Sequence, residues 1–303
     1  MPRLIDPGDG AAIALDELVD ALDATAFDVR DEDSFASLGP LLARLGRNPN
    51  FLADLAIDEL KMRCAGQSAA NGYGAQVFLL RPPNGRYVLR ANFWPAADDP
   101  VVRASGPGAF YYGLPHDHNF PFLTLGYLGP GYRSDHYEYD VAPLVGLPDE
   151  PAALRFAGRD RLGPGTLMLY RARRDIHVQL PPDSLSVSLN ILGQDPAQPW
   201  LDQYRFDIGR GTIAEALTIA PSEALVALAI HFGGGNGADL ATGFARSHPS
   251  ERMRVTALAA LASAAPSDGA RADLLTAAAG SASAYVSSHA RRRLAALARR
   301  SGP

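Results

Sequence analysis

The 303 residues exceed the usual length of one domain, and a composition of 47% hydrophobic, 20% charged and 8% aromatic residues excludes a disordered chain and leaves ample apolar surface for a core. A net charge of −5, with every basic residue except Lys61 an arginine, gives nucleic acid no evident basic face. The single cysteine, Cys64, excludes an internal disulfide framework and a multi-cysteine zinc site, so any metal must be held by His, Asp or Glu.

In chain order, apolar residues recur at helical spacing from about 11 to 65. Ile13, Leu15, Leu18, Val19 and Leu22 form one set, Leu38, Leu41, Leu42 and Leu45 a second, and Leu52, Leu55, Ile57 and Leu60 a third. They predict three short helices, with Asn48-Pro49-Asn50 as the clearest break. From about 74 to 208, short runs rich in Val, Phe, Tyr and Leu alternate with turn signals such as Gly129-Pro130-Gly131 and Gly163-Pro164-Gly165. Strands are predicted at 75–81, 86–93, 121–128, 132–140, 153–157, 165–171, 175–180 and 184–192, with 204–208 as a closing strand. Many short strands at regular spacing predict a sandwich or barrel, and the number suits a double-sheet jelly roll. After Gly209 the pattern is Ala-rich and helical. Arg254–Leu261 and Arg291–Leu297 resemble each other, which is compatible with HEAT-type hairpins or with an ordinary helical cap. The start MPRLIDPGDG lacks a signal-type pattern, and no 18-residue apolar run occurs; the expectation is a cytoplasmic chain with no membrane segment.

The chemistry is expected from four histidines of the strand-rich section. In extended chain, residues i and i+2 share a face, so His116 and His118 project side by side. A third ligand is sought elsewhere, and His177 on the strand Asp175-Ile-His-Val-Gln-Leu180 is the best candidate. A competing set is His136-Tyr-Glu138 with His177, the two-histidine, one-carboxylate pattern of non-haem iron oxygenases that use 2-oxoglutarate. His136 or Glu138 joining the three-histidine set is a further option. Three neutral imidazoles suit Fe(II), and also Ni, Cu or Zn. Arg90, mid-strand in Val88-Leu-Arg-Ala-Asn92, is a candidate clamp for a substrate anion; the alternative is an edge strand with Arg90 facing solvent. The run Arg171-Ala-Arg-Arg174 reads as a solvated face or as partners for nearby acids.

His116-Asp-His118-Asn-Phe-Pro-Phe122-Leu-Thr-Leu-Gly-Tyr-Leu-Gly129 resembles the first cupin motif, with Phe122 where that motif has Glu. Together with Asn84–Trp94 and Ser186–Asn190, the segment from about 75 to 195 is similar to the cysteine dioxygenase-like, three-histidine branch of the cupins. The second motif is degenerate around Ala172–His177; only its His and the spacing survive. Asn190 stands where the cysteine enzymes have a histidine, Leu192 where they have a tyrosine, and Val77 where they have the substrate-gripping arginine. The resemblance implies a mainly β fold with α additions: a cupin-type double-stranded β-helix (jelly roll) at 71–210, between N-terminal helices (1–70) and a C-terminal α-helical, HEAT-like region (211–303). It implies a mononuclear Fe(II) oxygenase that takes O2 and a small thiol or amine, with His116, His118 and His177 on the metal. Aromatics crowd the expected mouth, and among them Tyr127 is the candidate, with Arg90 and Asn190, for contact with substrate or oxygen. Other readings are a cupin that only binds a ligand, and a metal-dependent isomerase or hydrolase on the same barrel. The helical tail is a candidate surface for dimerisation or for a protein partner.

Overall fold

A computed structural model describes residues 1–74 and 76–300 and divides the chain into two compact units. The first comprises Met1–Ala142 with Pro151–Ala214, the second Pro143–Glu150 with Glu215 onward.

In the first unit a two-residue strand, β1 (Arg3–Leu4), precedes five helices: α1 (Leu15–Ala24), α2 (Glu32–Ala36), α3 (Gly39–Gly46), α4 (Phe51–Lys61) and α5 (Ala65–Ala70). Periodicity identified three of these; α2 and α5 have five and six residues, too few turns to show a period. α2 is instead set by its cap, because the Asp31 carboxylate accepts from the amides of Asp33 and Ser34 at 2.9 and 3.0 Å. Strands β2 (Val77–Arg81) and β3 (Tyr87–Trp94) and the short helix α6 (Pro100–Ser105) follow. Next come β4 (Phe122–Leu128), β5 (Tyr132–Glu138), β6 (Arg155–Leu162), β7 (Leu167–Tyr170), β8 (Asp175–Leu180), β9 (Ser186–Gly193), β10 (Tyr204–Asp207) and β11 (Thr212–Ala216).

They form a six-stranded sheet in the order β1-β7-β4-β9-β3-β2, a three-stranded sheet β6-β5-β8 and the pair β10-β11. The strand-to-strand pairings within the two larger sheets are antiparallel. All eight residues of β9 are buried, as expected of a central strand covered on both faces. Side-chain alternation sorts those faces. Leu89 and Ala91 of β3, Leu123 and Leu125 of β4, and Val187, Leu189 and Ile191 of β9 join Leu18, Leu22, Phe35, Leu38, Leu42 and Leu45 of the N-terminal helices in one core. The intervening residues Val88, Trp94, Phe122 and Leu192 face the other way, into a core with Tyr132, Met168 and Tyr170. The β4–β5 turn runs through Gly129 and Gly131 at φ of +80° and +78°, values that side chains with a Cβ rarely adopt.

Two differences from the sequence reading are physical. The strand expected at 153–157 is β6, displaced to Arg155–Leu162, because an edge strand reading RFAGRDRL is half charged, buries only Leu162 and carries no apolar alternation. Helices also hold more residues than strands, so the chain as a whole is not mainly β; the strands are concentrated in its middle.

The second unit holds α7 (Pro221–Phe232), α8 (Gly234–Ser247), α9 (Glu251–Ala264), α10 (Asp268–Ala279) and α11 (Ala284–Arg300). Small side chains give it several small clusters, among them Val226, Ala241, Met253 and Ala257 in one and Leu258, Ala262, Leu275 and Ala290 in another. Residues 143–150 belong to this unit: Val145 and Leu147 pack on Val255, Tyr285 and Val286.

Candidate metal centre

His116 and His118 lie in the segment between α6 and β4 rather than within a strand. His116 is nevertheless held as a strand residue would be. Its amide donates to the carbonyl of His177 at 3.2 Å and its carbonyl accepts from the amide of His177 at 3.0 Å, a bridge to β8. The His118 carbonyl accepts from the amide of Arg173 at 2.7 Å. Asp117 serves the opposite face: its fully buried carboxylate accepts from Tyr139 Oη and from the amide of Tyr204, each at 2.6 Å. Burial pushes the Asp117 carboxyl up to about 6.

The Nε2 atoms of His118 and His177 are 3.1 Å apart and those of His177 and His116 3.2 Å. His116, His118 and His177 form a group whose ligand atoms all lie within 4.8 Å of one another. A cation about 2.1 Å from each of three imidazole nitrogens would hold them roughly 3.0–3.4 Å apart, from octahedral to tetrahedral angles. The His118–His177 and His177–His116 separations fall within that range. His116 Nδ1 lies 2.8 Å from the carbonyl oxygen of Leu114, which accepts only, so Nδ1 carries the proton and Nε2 presents its lone pair. Burial lowers all three imidazoles, His116 to about 4 and the other two well below their ordinary value, and repulsion among them lowers His118 and His177 further. They are neutral at pH 7, the form in which imidazole binds a metal.

These histidines stand at the wall of a cavity of about 530 Å³ that Arg90, Asn92, Trp94, Tyr132, Gln179 and Asn190 also line. Phe122 packs edge-on against His118, ring centroids 4.8 Å apart, and stacks on Tyr170 at 4.5 Å. A ring therefore fills the position at which the cupin motif carries a carboxylate.

Of the other sequence candidates, Arg90 and Asn190 are brought here and Tyr127 is not. Arg90 is on β3 between β2 and β9, so it is not a solvent-facing residue of an edge strand, and its positive charge acts on His118. Asn190, its cross-strand partner, donates from Nδ2 to Thr124 Oγ1 at 2.7 Å. Tyr127 shares the parity of Leu123 and Leu125, packs against Phe51 of α4 and donates to the Asn48 carbonyl at 2.9 Å. Tyr132, buried and packed on Trp94 at 4.4 Å, lines the cavity instead, as do Tyr73 and Tyr111.

The set built on Glu138 is not assembled. Glu138 is bound by Arg171 at 2.8 Å, by Arg155 and by the N-terminal amine, which together hold it at about 2. Arg171 also holds the fully buried Asp175, so it is an ion-pairing partner rather than part of a solvated face. His136 is paired in register with His177, but its ring packs on Tyr170, centroids 5.8 Å apart, and it is outside the three-histidine group. Tyr132 is one of the aromatics expected around the mouth, whereas Asn92 and Gln179 are cavity residues that no motif of the sequence marks. The signal was two-residue spacing, since Asn92 follows Arg90 and Gln179 follows His177 at i+2.

No family model matches the sequence, and no curated protein matches it. Among solved structures, the chain is similar to hydroquinone 1,2-dioxygenase from Sphingomonas sp. TTNP3, at 13% identity and a TM-score of 0.26 over 43% of this chain and 72% of that one. It is also similar to the DMSP lyase DddQ from Ruegeria pomeroyi DSS-3, at 10% identity and a TM-score of 0.25 over 65% of this chain and 78% of that one. TM-scores this low carry no inference about chemistry. Among the described residues, no helix is long and apolar enough to cross a membrane.

Proposed function

We propose that this chain is a metal-dependent cupin enzyme, a mononuclear non-haem Fe(II) oxygenase acting on a small thiol- or amine-containing molecule and O2. In this reading the six- and three-stranded sheets are the walls of a double-stranded β-helix at about 71–210, and the C-terminal helices are a HEAT-like surface for a second copy or another protein. The observation that supports it best is the convergence of three neutral imidazole nitrogens, one with its tautomer fixed, on the wall of a cavity. Neutral imidazoles also suit Ni, Cu and Zn, and iron is favoured by the resemblance of the His116–Gly129 segment to the three-histidine cupins.

Ferrous iron held by His116, His118 and His177 would supply the redox chemistry of O2, with coordination positions left free by a three-ligand set. The chain's own residues bind and orient. Asp117 and Tyr139 brace the segment that carries His116 and His118 from behind. Trp94, Phe122 and Tyr132 exclude bulk water, and the Tyr132 hydroxyl, hydrogen-bonded to Thr124 and Gln179, orients the polar side of the cavity wall.

The test is metal content by mass spectrometry of anaerobically purified protein, alongside His118→Ala. Near-stoichiometric iron that the variant loses, with oxygen uptake when thiols or amines are added, is the expected result. Absence of retained metal in both proteins, with no uptake of added Fe(II), overturns the reading.

A further inference from the structure

The cavity wall holds a charge that the fold itself does not compensate. Arg90 lies mid-strand on β3, between β9 and the edge strand β2, and its Nε is shielded from solvent without a hydrogen-bond partner. Among the described residues no carboxylate pairs with it; the neighbour that faces its guanidinium is the Tyr73 ring, 5.0 Å from Cζ. Elsewhere the chain treats half-buried arginines differently: Arg171 is neutralised by Asp175 and Glu138, and Arg252 by Glu223. Desolvating a guanidinium without a counterion is costly, and Arg90, only partly exposed as a residue, bears that cost at the cavity wall.

The side chains beside Arg90 have the complementary need. Asn190 is directly opposite it on β9, and with Nδ2 committed to Thr124 the amide oxygen is left buried and unpartnered. Asn92 Oδ1, two residues along the same face, and Gln179 Oε1, two residues from His177, are unpartnered as well. These are acceptors that want O–H or N–H donors, and Arg90 wants an anion. All four side chains line the same cavity as the three histidines.

We propose that this cavity takes a small carboxylate that also carries hydroxyl or amino donors, its anionic end held by Arg90 and its donors by the side-chain oxygens of Asn92, Asn190 and Gln179. The inference deepens the enzyme reading and rests on it for the cavity's being a substrate site, but binding tests the subsite separately. In this arrangement Arg90 selects the substrate by charge, and the amides fix which end faces the histidines.

The probes are glycerate and L-serine, each with a counterpart lacking the carboxylate, glycerol and L-serinamide. Calorimetry and the fluorescence of Trp94, a cavity residue, follow their binding to the full chain, metal-free and Zn-loaded. The carboxylates are expected to bind at least tenfold more tightly than their counterparts. Arg90→Gln should abolish that preference, while Arg90→Lys retains part of it. Equal binding within each pair, no saturable binding by either carboxylate, or a preference that survives in folded Arg90→Gln overturns the subsite. Should Arg90→Gln fail to fold, the comparison in the wild-type chain still decides. Iron content measured in parallel separates the two proposals: carboxylate preference without metal keeps the subsite and removes the oxygenase, and metal without preference does the reverse.

Discussion

The backbones of His116 and His177 exchange two hydrogen bonds, at 3.2 and 3.0 Å, so a loop histidine and a strand histidine are fixed as neighbours before any ion is considered. The first prediction follows. His118→Ala, which leaves this bridge intact, should remove metal binding while keeping the melting transition of the metal-free protein within a few degrees. Bound metal should raise the wild-type transition, because an ion that binds only the folded chain stabilises it by mass action. Calorimetric melts with and without Zn²⁺ or anaerobic Fe²⁺ check both statements.

Asp117 acts on the site through the backbone. Asp117→Ala would leave the Tyr139 hydroxyl and the Tyr204 amide, both bonded to it, without their acceptor. The expected cost is about 2–5 kcal/mol for two buried donors, with metal affinity falling roughly 10–100-fold as the flanking histidines lose their support. Denaturant titration gives the first quantity and a chelator competition the second.

The two tyrosines of the β4–β5 hairpin should separate cleanly. Tyr127→Phe loses a hydrogen bond to Asn48 on the helix-covered side, which should cost about 1 kcal/mol of stability and leave cavity binding unchanged. Tyr132→Phe should alter ligand affinity in the cavity it lines. Equilibrium unfolding and ligand titration of the pair check the contrast.

His136 makes stability depend on pH. Burial holds it at about 4, and neither ring nitrogen has a partner. The unfolded imidazole, with an ordinary value near 6.5, takes up a proton at a pH where the folded one does not. Its contribution is therefore intact above about 6.5 and is lost as pH falls towards 4. Between pH 7.5 and 5 that loss amounts to about 2 kcal/mol. His136→Leu should flatten the stability profile by this amount, measured by urea unfolding across the window.

Arg171→Met removes the guanidinium that pairs with the fully buried Asp175 at 2.5 Å. Leaving that carboxylate uncompensated should destabilise the protein by about 3–5 kcal/mol. Thermal and chemical unfolding at pH 7 check the value.

How much was legible in the sequence follows from where the signal resides. The strands β3, β4, β8 and β9 carry runs of large apolar residues between Gly and Pro turns, so their existence could be read, and His116, His118 and His177 could be read from spacing. What could not be read is which face of a strand meets the helices and which meets the cavity. Tyr127 and Tyr132 look alike in a list of aromatics; parity with Leu123 and Leu125 sends the first to the helices. Glu138 looked like a ligand because its three basic partners come from sequence positions 1, 155 and 171, and no local pattern connects them. Edge strand β6 was displaced because charge, rather than apolar alternation, defines it.

Residues 143–150 have a consequence for how the chain is made. Val145 and Leu147 pack against Val255, Tyr285 and Val286, and the Pro148 carbonyl accepts from Arg292, 144 positions later. Contacts of such separation form late, since the intervening chain must be closed first. On the ribosome this strap emerges with the strands of the first unit, yet its partners come from α9 and α11, more than a hundred residues later. A product halted before α11 would carry Val145 and Leu147 without Tyr285 and Val286, two of the three buried side chains that they pack on in the folded unit, and so with apolar surface only partly covered by Val255.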